Sequence, residues 1–295
     1  MGETEPTVFT GNLPLPAEKK SASQSVDVDR STRVNGETRA KGLLIVNADD
    51  WGRDRGTTDR IYECVSQASV SSVSAMVFME DSERSATLAQ ERGIDAGLHL
   101  NLTTPFSGRR AEAGLREHQQ RISSYLRRHR LSPVLFHPGL THSFEYVVAA
   151  QLEEFCRLYG AAPGRIDGHH HMHTCGNILV GRLLPAGTMV RRNFSFQPGE
   201  KSWSNRAYRG FVDRLLAKRH QLTDFFFSLT PLQPESRLQR IFSLAQQFVV
   251  EVETHPVSPE EYRFLTGGEI FRLTGHVQIA PRYMTEPHMA SQAAN

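Results

Sequence analysis

A short segment rich in possible metal ligands is the most informative part of this sequence. It reads Asp167-Gly168-His169-His170-His171-Met172-His173 and contains four histidines and one aspartate. If the segment is an extended strand, alternate residues share a face, so Asp167 should point the same way as His169, His171 and His173. Neutral imidazole is a common ligand of divalent metals, and the segment therefore favours a metal site. A polar loop or a chance histidine tract is the alternative interpretation.

A second segment brings two carboxylates to the end of an apolar run. Residues 43–48 are mostly apolar, and Asp49, Asp50, Trp51 and Gly52 follow them. This pattern is typical of a buried parallel strand that presents acids at its carboxyl end. Neighbouring strand residues face opposite sides, which predicts that one aspartate binds a metal while the other handles protons. An Asp-rich turn closed by Gly52 is the alternative.

A third segment, Ala96-Gly97-Leu98-His99-Leu100-Asn101-Leu102-Thr103, alternates apolar residues with one histidine and one asparagine. His99 and Asn101 should share a face of this strand. A single histidine in a strand is also compatible with an ordinary core position. Strand ends that carry Asp, His and His would meet at one rim of an α/β barrel.

Composition excludes several other classes of protein. The chain has 295 residues, 22% of them charged and 39% hydrophobic, with a net charge of +2. Such a balance fits a globular protein and does not suggest binding to nucleic acid. No stretch is apolar enough for a membrane span, and residues 1–41 lack the pattern of a secretory signal. The three cysteines are far apart, which predicts a reducing compartment and hence a cytoplasmic location.

The pattern of helices and strands predicts one α/β domain. Residues 1–41 read as a disordered tail, residues 42–280 as alternating strands and helices, and residues 281–295 as an irregular C-terminal tail. An insertion at about 104–140 holds a helix near Leu115–Arg130 and should shape a substrate pocket. The predicted strands are Leu43–Asn47, Val73–Met79, Ala96–Thr103, Arg165–His173, Thr188–Arg191, Thr223–Leu229 and Phe248–Glu253. The other predicted helices are Thr57–Ala68, Asp81–Arg92, Ser143–Tyr159 and Ala207–Arg219.

Taken together, these segments resemble the YdjC-like carbohydrate deacetylases, the ChbG/HpnK family. The resemblance rests on residues 46–52, 97–103, 167–173 and 251–256, with a weaker match at 223–226. It implies an α/β fold, a distorted (β/α) barrel resembling the polysaccharide deacetylases. It also implies that the protein removes the acetyl group from an N-acetylated amino sugar or oligosaccharide, and it is compatible with a homodimer.

By position, the resemblance implies that Asp50, His99 and His169 hold one divalent metal ion. Asp49 would be the general base, and His255 an acid or a substrate contact. The family is associated with Mg, but a set of one carboxylate and two imidazoles also suits Zn, Co, Mn or Ni. The expected reaction is hydrolysis by a metal-activated water.

Further residues are candidates for substrate contacts or for orienting the ligands. Asn101, Asp167, His171 and His173 belong to this group. Trp51 stands where the family usually has Phe, which predicts altered packing or stacking on a sugar. Arg191 is expected to meet a substrate oxygen or to form a surface salt bridge.

Two other functions remain open from the sequence alone. One is a different metal-dependent hydrolase, such as a phosphoesterase, which would need a second metal about 3.5–4 Å from the first. The other is a non-catalytic sugar-binding homologue. The family normally continues through a helical segment after His255 and Pro256, so the short polar C-terminus leaves barrel closure, stability and activity open.

Overall fold

The computed structural model describes residues 42–196 and 200–283. The predicted disordered tail at 1–41 lies outside the described residues, as does most of the predicted C-terminal tail. The strands are β1 (Leu43–Trp51), β2 (Ser72–Ala75), β3 (Ala96–Leu100), β4 (Arg165–Gly168), β5 (Met189–Val190), β6 (Phe225–Ser228) and β7 (Val249–Thr254). The helices are α1 (Arg55–Ser66), α2 (Ser82–Arg92), α3 (Ala113–Arg128), α4 (Thr141–Tyr159), α5 (Gly176–Gly181), α6 (Trp203–Ala217), α7 (Glu235–Leu244), α8 (Pro259–Thr266) and α9 (Glu269–Thr274).

All adjacent strands of the sheet are parallel. Their order is β5-β4-β3-β2-β1-β7-β6. The two edges of the sheet curve towards each other. Met189 of β5 forms a parallel bridge with Gln221, which lies just before β6. In the same place the Val190 amide donates to the Gln221 carbonyl at 2.9 Å. The sheet is thus a curled half-barrel with helices around it, which confirms the predicted distorted (β/α) barrel.

Short-range sequence signals set several of the helix ends. Helix α1 begins after Asp54, whose carboxylate accepts from the Thr57 amide at 2.8 Å, a normal N-cap. Helix α2 ends at Gly93 and helix α4 at Gly160, both with a left-handed backbone. Helix α3 occupies the predicted insertion. Within the described ranges no helix is both long and apolar enough to cross a lipid bilayer.

Alternation along the strands separates an apolar outer side of the sheet from a polar interior. In β1, Val46 and Ala48 join the apolar cluster between the sheet and the helices, whereas Asn47 and Asp49 face inwards. The buried polar residues of the interior, on or just after the strands, are Asn47, Asp49, Ser72, Ser74, His99, Arg165, Asp167, Arg191, Glu251 and Glu253. The interior of this barrel is therefore mostly hydrogen-bonded and charged.

Gly97 makes room for one of these charges. A Cβ atom at this position would lie 2.8 Å from the guanidinium carbon of Arg165. The Arg165 side chain passes this point and donates to Asn47 Oδ1 at 3.1 Å and to the Val73 carbonyl at 2.6 Å. A larger residue would displace the guanidinium from these partners.

Candidate metal centre

The carboxyl end of β1 carries both predicted aspartates to the rim of the barrel. Asp49 faces the interior of the barrel, as Asn47 does two residues earlier. After Ala48, however, the pairing of β1 with β2 shifts register before Trp51. Asp50 adopts φ of 70°, a left-handed conformation that is uncommon for a residue with a side chain. Neighbouring residues would point to opposite sides of a regular strand. Here both carboxylates are buried at the same rim.

His99 reaches the same rim from β3 and is oriented by Asp167 of β4. The two residues are register partners, and Asp167 Oδ1 lies 2.6 Å from His99 Nδ1. Ser74 Oγ donates to the other Asp167 oxygen at 2.5 Å. A carboxylate that accepts the Nδ1–H leaves the Nε2 lone pair of the ring available as a ligand. Asp167 thus lies where it can orient His99, which is one of the two roles that the sequence suggested for it.

The histidine segment is not the long strand that the sequence suggested. Strand β4 ends at Gly168, and residues His169–Thr174 form a short 3-10 turn. His170 and His171 have left-handed φ values of 55° and 58°, so the alternating strand face predicted for the histidines is wrong. The turn keeps only His169 next to the aspartates, with its Nδ1 at 2.9 Å from Asp50 Oδ1.

Asp50, His99 and His169 together form a buried group with the donor types of a metal site. One ligand atom from each lies within 4.8 Å of the others. Asp50 Oδ1 lies 2.9 Å from His169 Nδ1 and 3.4 Å from His99 Nε2, but the geometry at these contacts leaves both Asp50 Oδ1 and His99 Nε2 without a hydrogen bond among the described residues. Buried polar atoms without partners are costly. A cation among these three residues would satisfy them, and one carboxylate with two imidazoles is a normal donor set for a divalent metal.

The electrostatics of the group also favour a positive charge. Burial alone lowers the pKa of His99, but the charges of Asp49 and Asp167 raise it to about 10, so without a metal the ring is protonated on Nε2 and a metal ion would replace that proton. Burial alone raises the pKa of Asp50, but His169 and His99 hold it far below its usual value. Asp50 is therefore ionised, and the position beside it stabilises a cation.

Arg191 is fully buried and bonded to carboxylates on several sides. It donates to both oxygens of Asp49 at 2.7 and 2.8 Å and to Glu251 at 2.7 Å. Asp167 lies 3.2 Å and Glu253 3.4 Å from the same guanidinium. The side chain is 0% exposed, so the surface salt bridge considered for Arg191 is wrong. The sequence analysis did not select the two glutamates as site residues, although β7 alternates valine and glutamate, a signal of an acidic inner face.

The two aspartates have different charged partners: Arg191 pairs with Asp49, and the two histidines lie beside Asp50. Burial raises the pKa of Asp49, but the charge of Arg191 outweighs it and lowers the pKa below its usual value. In a second possible ligand group, Asp49 with His99 and Asp167, both carboxylates are ion-paired with Arg191. The cationic guanidinium makes that group the poorer place for a metal ion.

Three further predicted histidines lie at different distances from the centre. His255 is 36% exposed at the rim, and its Nε2 lies 3.9 Å from Asp49 Oδ2. His171 is 34% exposed, and its Nε2 lies 3.7 Å from Glu253. His173 is buried, and its Nε2 lies 2.9 Å from the Arg191 carbonyl. His173 therefore supports the arginine and does not face the metal ligands.

Trp51 and Asn101 do not reach the centre. Trp51 is 0% exposed within the apolar cluster, so stacking on a sugar is wrong and packing is its role. Asn101 Oδ1 accepts hydrogen bonds from the backbone amides of Thr103 and Thr104. The backbone amide of Asn101 donates to Gln151 Oε1 of α4. It shapes the loop after β3 instead of sharing a face with His99.

Two residues at the rim were missed by the sequence analysis. Arg53 is half-exposed and donates to Asp50 Oδ2 at 3.0 Å, on the side away from the histidines. The His170 ring lies tilted against the His169 ring, with centroids 4.0 Å apart, and its Nδ1 is hydrogen-bonded to Thr103 Oγ1 at 2.9 Å. Burial lowers the pKa of His170 to about 4, so this ring is neutral near pH 7. Only a left-handed turn brings it here, and no periodicity in the sequence signals such a turn.

Comparison with known proteins identifies the family and agrees with the fold. The YdjC-like protein family matches residues 43–279, which is most of the chain, and the chain belongs to this family. The predicted family is thereby confirmed. The relatives include carbohydrate deacetylases.

Three relatives show the extent of the similarity. A chitooligosaccharide deacetylase of Proteus mirabilis is 33% identical over 61% of this chain and 62% of its own length. A chitooligosaccharide deacetylase of Yersinia pestis is 32% identical over 79% of this chain and 88% of the relative. A carbohydrate deacetylase of Vibrio cholerae is 26% identical over 78% and 90%. The match to the Proteus relative thus spans less than two thirds of that protein.

A solved structure shows the same fold. It is a protein of Enterococcus faecalis described as a cellobiose-phosphate cleavage protein, with a TM-score of 0.58 and 16% identity. The match covers 83% of this chain and 98% of the other. At this identity the similarity concerns the fold alone.

Proposed function

We propose that this protein is a metal-dependent carbohydrate deacetylase that releases acetate from an N-acetylated amino sugar of a chitooligosaccharide. The observation that carries the proposal is the pair of buried atoms without hydrogen-bond partners, Asp50 Oδ1 and His99 Nε2, beside His169 and directly next to Asp49. The names of the relatives from Proteus and Yersinia supply the substrate class.

Asp50, His99 and His169 would hold one divalent metal ion. The ion, when bound, supplies Lewis-acid polarisation of an amide carbonyl and lowers the pKa of a water molecule. Asp167 keeps His99 in the tautomer that binds metal through Nε2, at an Nδ1–Oδ1 distance of 2.6 Å. The two imidazoles favour Zn, Co, Mn or Ni over Mg, which prefers oxygen ligands.

Asp49 would accept the proton of the attacking water. It lies next to Asp50 in the chain, and Arg191 holds both of its oxygens. The arginine lowers the pKa of Asp49, so the residue is a carboxylate throughout the neutral range. The same two hydrogen bonds fix the direction of its lone pairs, which proton transfer in a confined site requires.

His255 would give a proton to the departing amine. It is the partly exposed histidine nearest to Asp49 among the described residues, with 3.9 Å between Nε2 and Oδ2. Its place at the open rim lets it meet a sugar nitrogen that enters from solvent. A buried residue such as His173 has no such access.

Acetate release with controlled metal content tests the proposal. The purified full chain is stripped with a chelator, incubated with N,N′-diacetylchitobiose, and reloaded separately with Mg, Mn, Co, Ni or Zn. We expect acetate release to disappear on stripping and to return with at least one metal, at one ion per chain by elemental analysis. His276→Ala is a control, because His276 is an exposed histidine beyond α9.

Two results would contradict the proposal. One is no acetate release from any N-acetylated sugar with every metal tested, which would favour a sugar-binding protein. The other is two ions per chain together with phosphate release from a sugar phosphate, which would favour a phosphoesterase.

A further inference from the structure

The last described residues of the chain cross the end of the barrel opposite to the metal centre. Ile279 forms a parallel bridge with Leu44, at the start of β1. The Ala280 amide donates to the Leu44 carbonyl at 2.7 Å. Residues 279–283, which we call the C-terminal strap, therefore bind the amino end of the strand whose other end carries Asp49.

Tyr283 inserts from this strap into the barrel. It is buried and packs with Ile45 and Met189 in a small apolar cluster separate from the main one. Its amide donates to Asp95 at 2.8 Å, and the guanidinium of Arg165 lies 4.2 Å from the ring centroid. Contacts on the backbone and on the face of the ring thus set the direction of the phenol.

The hydroxyl of Tyr283 begins a continuous series of hydrogen bonds that ends at the proposed base. It donates to Glu251 Oε2 at 2.5 Å, and Glu251 Oε1 accepts from Arg191 Nε at 2.7 Å. The other side of the same guanidinium donates to both oxygens of Asp49. Among the described residues, neither Tyr283 nor Glu251 forms a hydrogen bond or an ion pair with His99, His169 or Asp50.

The planar guanidinium of Arg191 couples the hydrogen bond at one end of this series to the orientation of the groups at the other end. Its guanidinium is a planar fork, so a bond that fixes Nε also fixes where the two terminal nitrogens point. Glu251 is the group that bonds Nε, and Tyr283 holds the second oxygen of Glu251. Loss of the hydroxyl would leave that buried oxygen without a partner and let the carboxylate turn about its own bond.

We propose that Tyr283 is a positioning residue that sets the direction of the Asp49 carboxylate through Glu251 and Arg191. The inference rests on the proposed role of Asp49 in deacetylation. The C-terminal strap is then part of the catalytic apparatus, although it lies at the other end of the barrel from the substrate.

The test compares two tyrosine-to-phenylalanine variants of the metal-loaded full chain. Tyr283→Phe keeps the ring and removes the hydroxyl, and we expect kcat on N,N′-diacetylchitobiose to fall between about 10- and 100-fold, as misplacement of a reacting group does. KM and the number of metal ions per chain should not change. Tyr146→Phe is the control, because Tyr146 lies on α4, is 38% exposed and takes no part in the series.

Glu251→Gln breaks the same series at its next member and supplies a second test. If Tyr283 acts through Glu251, the double variant should have the kcat of Glu251→Gln alone, since the two effects share one path. Additive losses would overturn the inference. So would a Tyr283→Phe variant with unchanged kcat, or one that changes KM or loses metal. Failure of the unaltered protein to release acetate would overturn the proposed function itself and this inference with it.

Discussion

Replacement of Asp49 by asparagine separates proton transfer from metal binding. Asp49 accepts two hydrogen bonds from Arg191 and one from Asn47 at 2.9 Å. An asparagine keeps the shape but turns one acceptor into a donor, which would face an arginine nitrogen. The variant loses one charge-assisted hydrogen bond, worth about 1.5–3 kcal/mol. Arg191 retains Glu251 and Asp167 as partners, so the variant should still fold.

The expected loss of activity is larger than the loss of stability. A general base contributes about 10²- to 10⁴-fold to rate, or about 3–5 kcal/mol of the barrier. Asp49→Asn should lower kcat by this amount. The metal should remain at one per chain, because its proposed ligands are Asp50, His99 and His169.

The three expected effects can be measured on one preparation. Acetate release gives the loss of kcat, elemental analysis gives the metal content, and urea unfolding gives the loss of stability. Asp59→Asn is the matched control, since this aspartate lies on α1 with 54% of its side chain exposed. The reasoning is refuted if Asp49→Asn retains the turnover of the unaltered protein. It is also refuted if the variant is folded but has lost the metal, since Asp49 would then be a ligand.

Three other substitutions test separate parts of the structure. His99→Ala or His169→Ala should abolish both metal retention and turnover, measured by elemental analysis and acetate release, while either variant that keeps a full metal complement would contradict the ligand assignment. Arg191→Met leaves a group of buried carboxylates without its cation and should lower the free energy of unfolding by about 3–5 kcal/mol, measured in urea; an unchanged unfolding midpoint would show that the carboxylates are protonated or solvated. Gly97→Ala should cost about 1–3 kcal/mol, because its Cβ meets the guanidinium beneath it, whereas Gly114→Ala, with no atom within 4 Å of the added Cβ, should cost nothing.

The sequence pattern predicted the class of fold and that strand ends with aspartate and histidine meet at one rim. The particular set of Asp50, His99 and His169 came from the family resemblance. An apolar run that ends in Asp49 and Asp50 indicates a parallel strand, and such strands place their carboxyl ends together. His99 follows the same rule from β3. These signals are local, and their meaning depends only on the direction of the strands.

Other parts of the site depend on backbone turns and long-range contacts that no periodicity encodes. The left-handed residues His170 and His171 end β4 early, so only His169 of the histidine segment stays with Asp50. Arg191 follows a strand of two residues, too short to show which side it faces. Its burial results from carboxylates on three other strands.

Tyr283 illustrates the same limit at the far end of the chain. The polar composition of residues 281–295 predicted an irregular tail, and nothing in the local sequence indicates that one tyrosine enters the barrel. Its partner Glu251 is 32 residues away in the chain. Such a long-range contact can be identified only from the folded structure.

The charged interior of the barrel has a consequence for how the protein can change over evolutionary time. Removal of one member of a buried ion pair costs about 3–5 kcal/mol, whereas replacement of a whole buried set by well-packed apolar residues is often neutral or stabilising. Single substitutions among Arg191 and its carboxylates should therefore be disfavoured, whereas joint replacement by aliphatic residues should be tolerated by the fold. A homologue that has lost catalytic activity should replace these residues together with valine, isoleucine and leucine. Retention of the buried charges in a homologue would then indicate that it still catalyses a reaction.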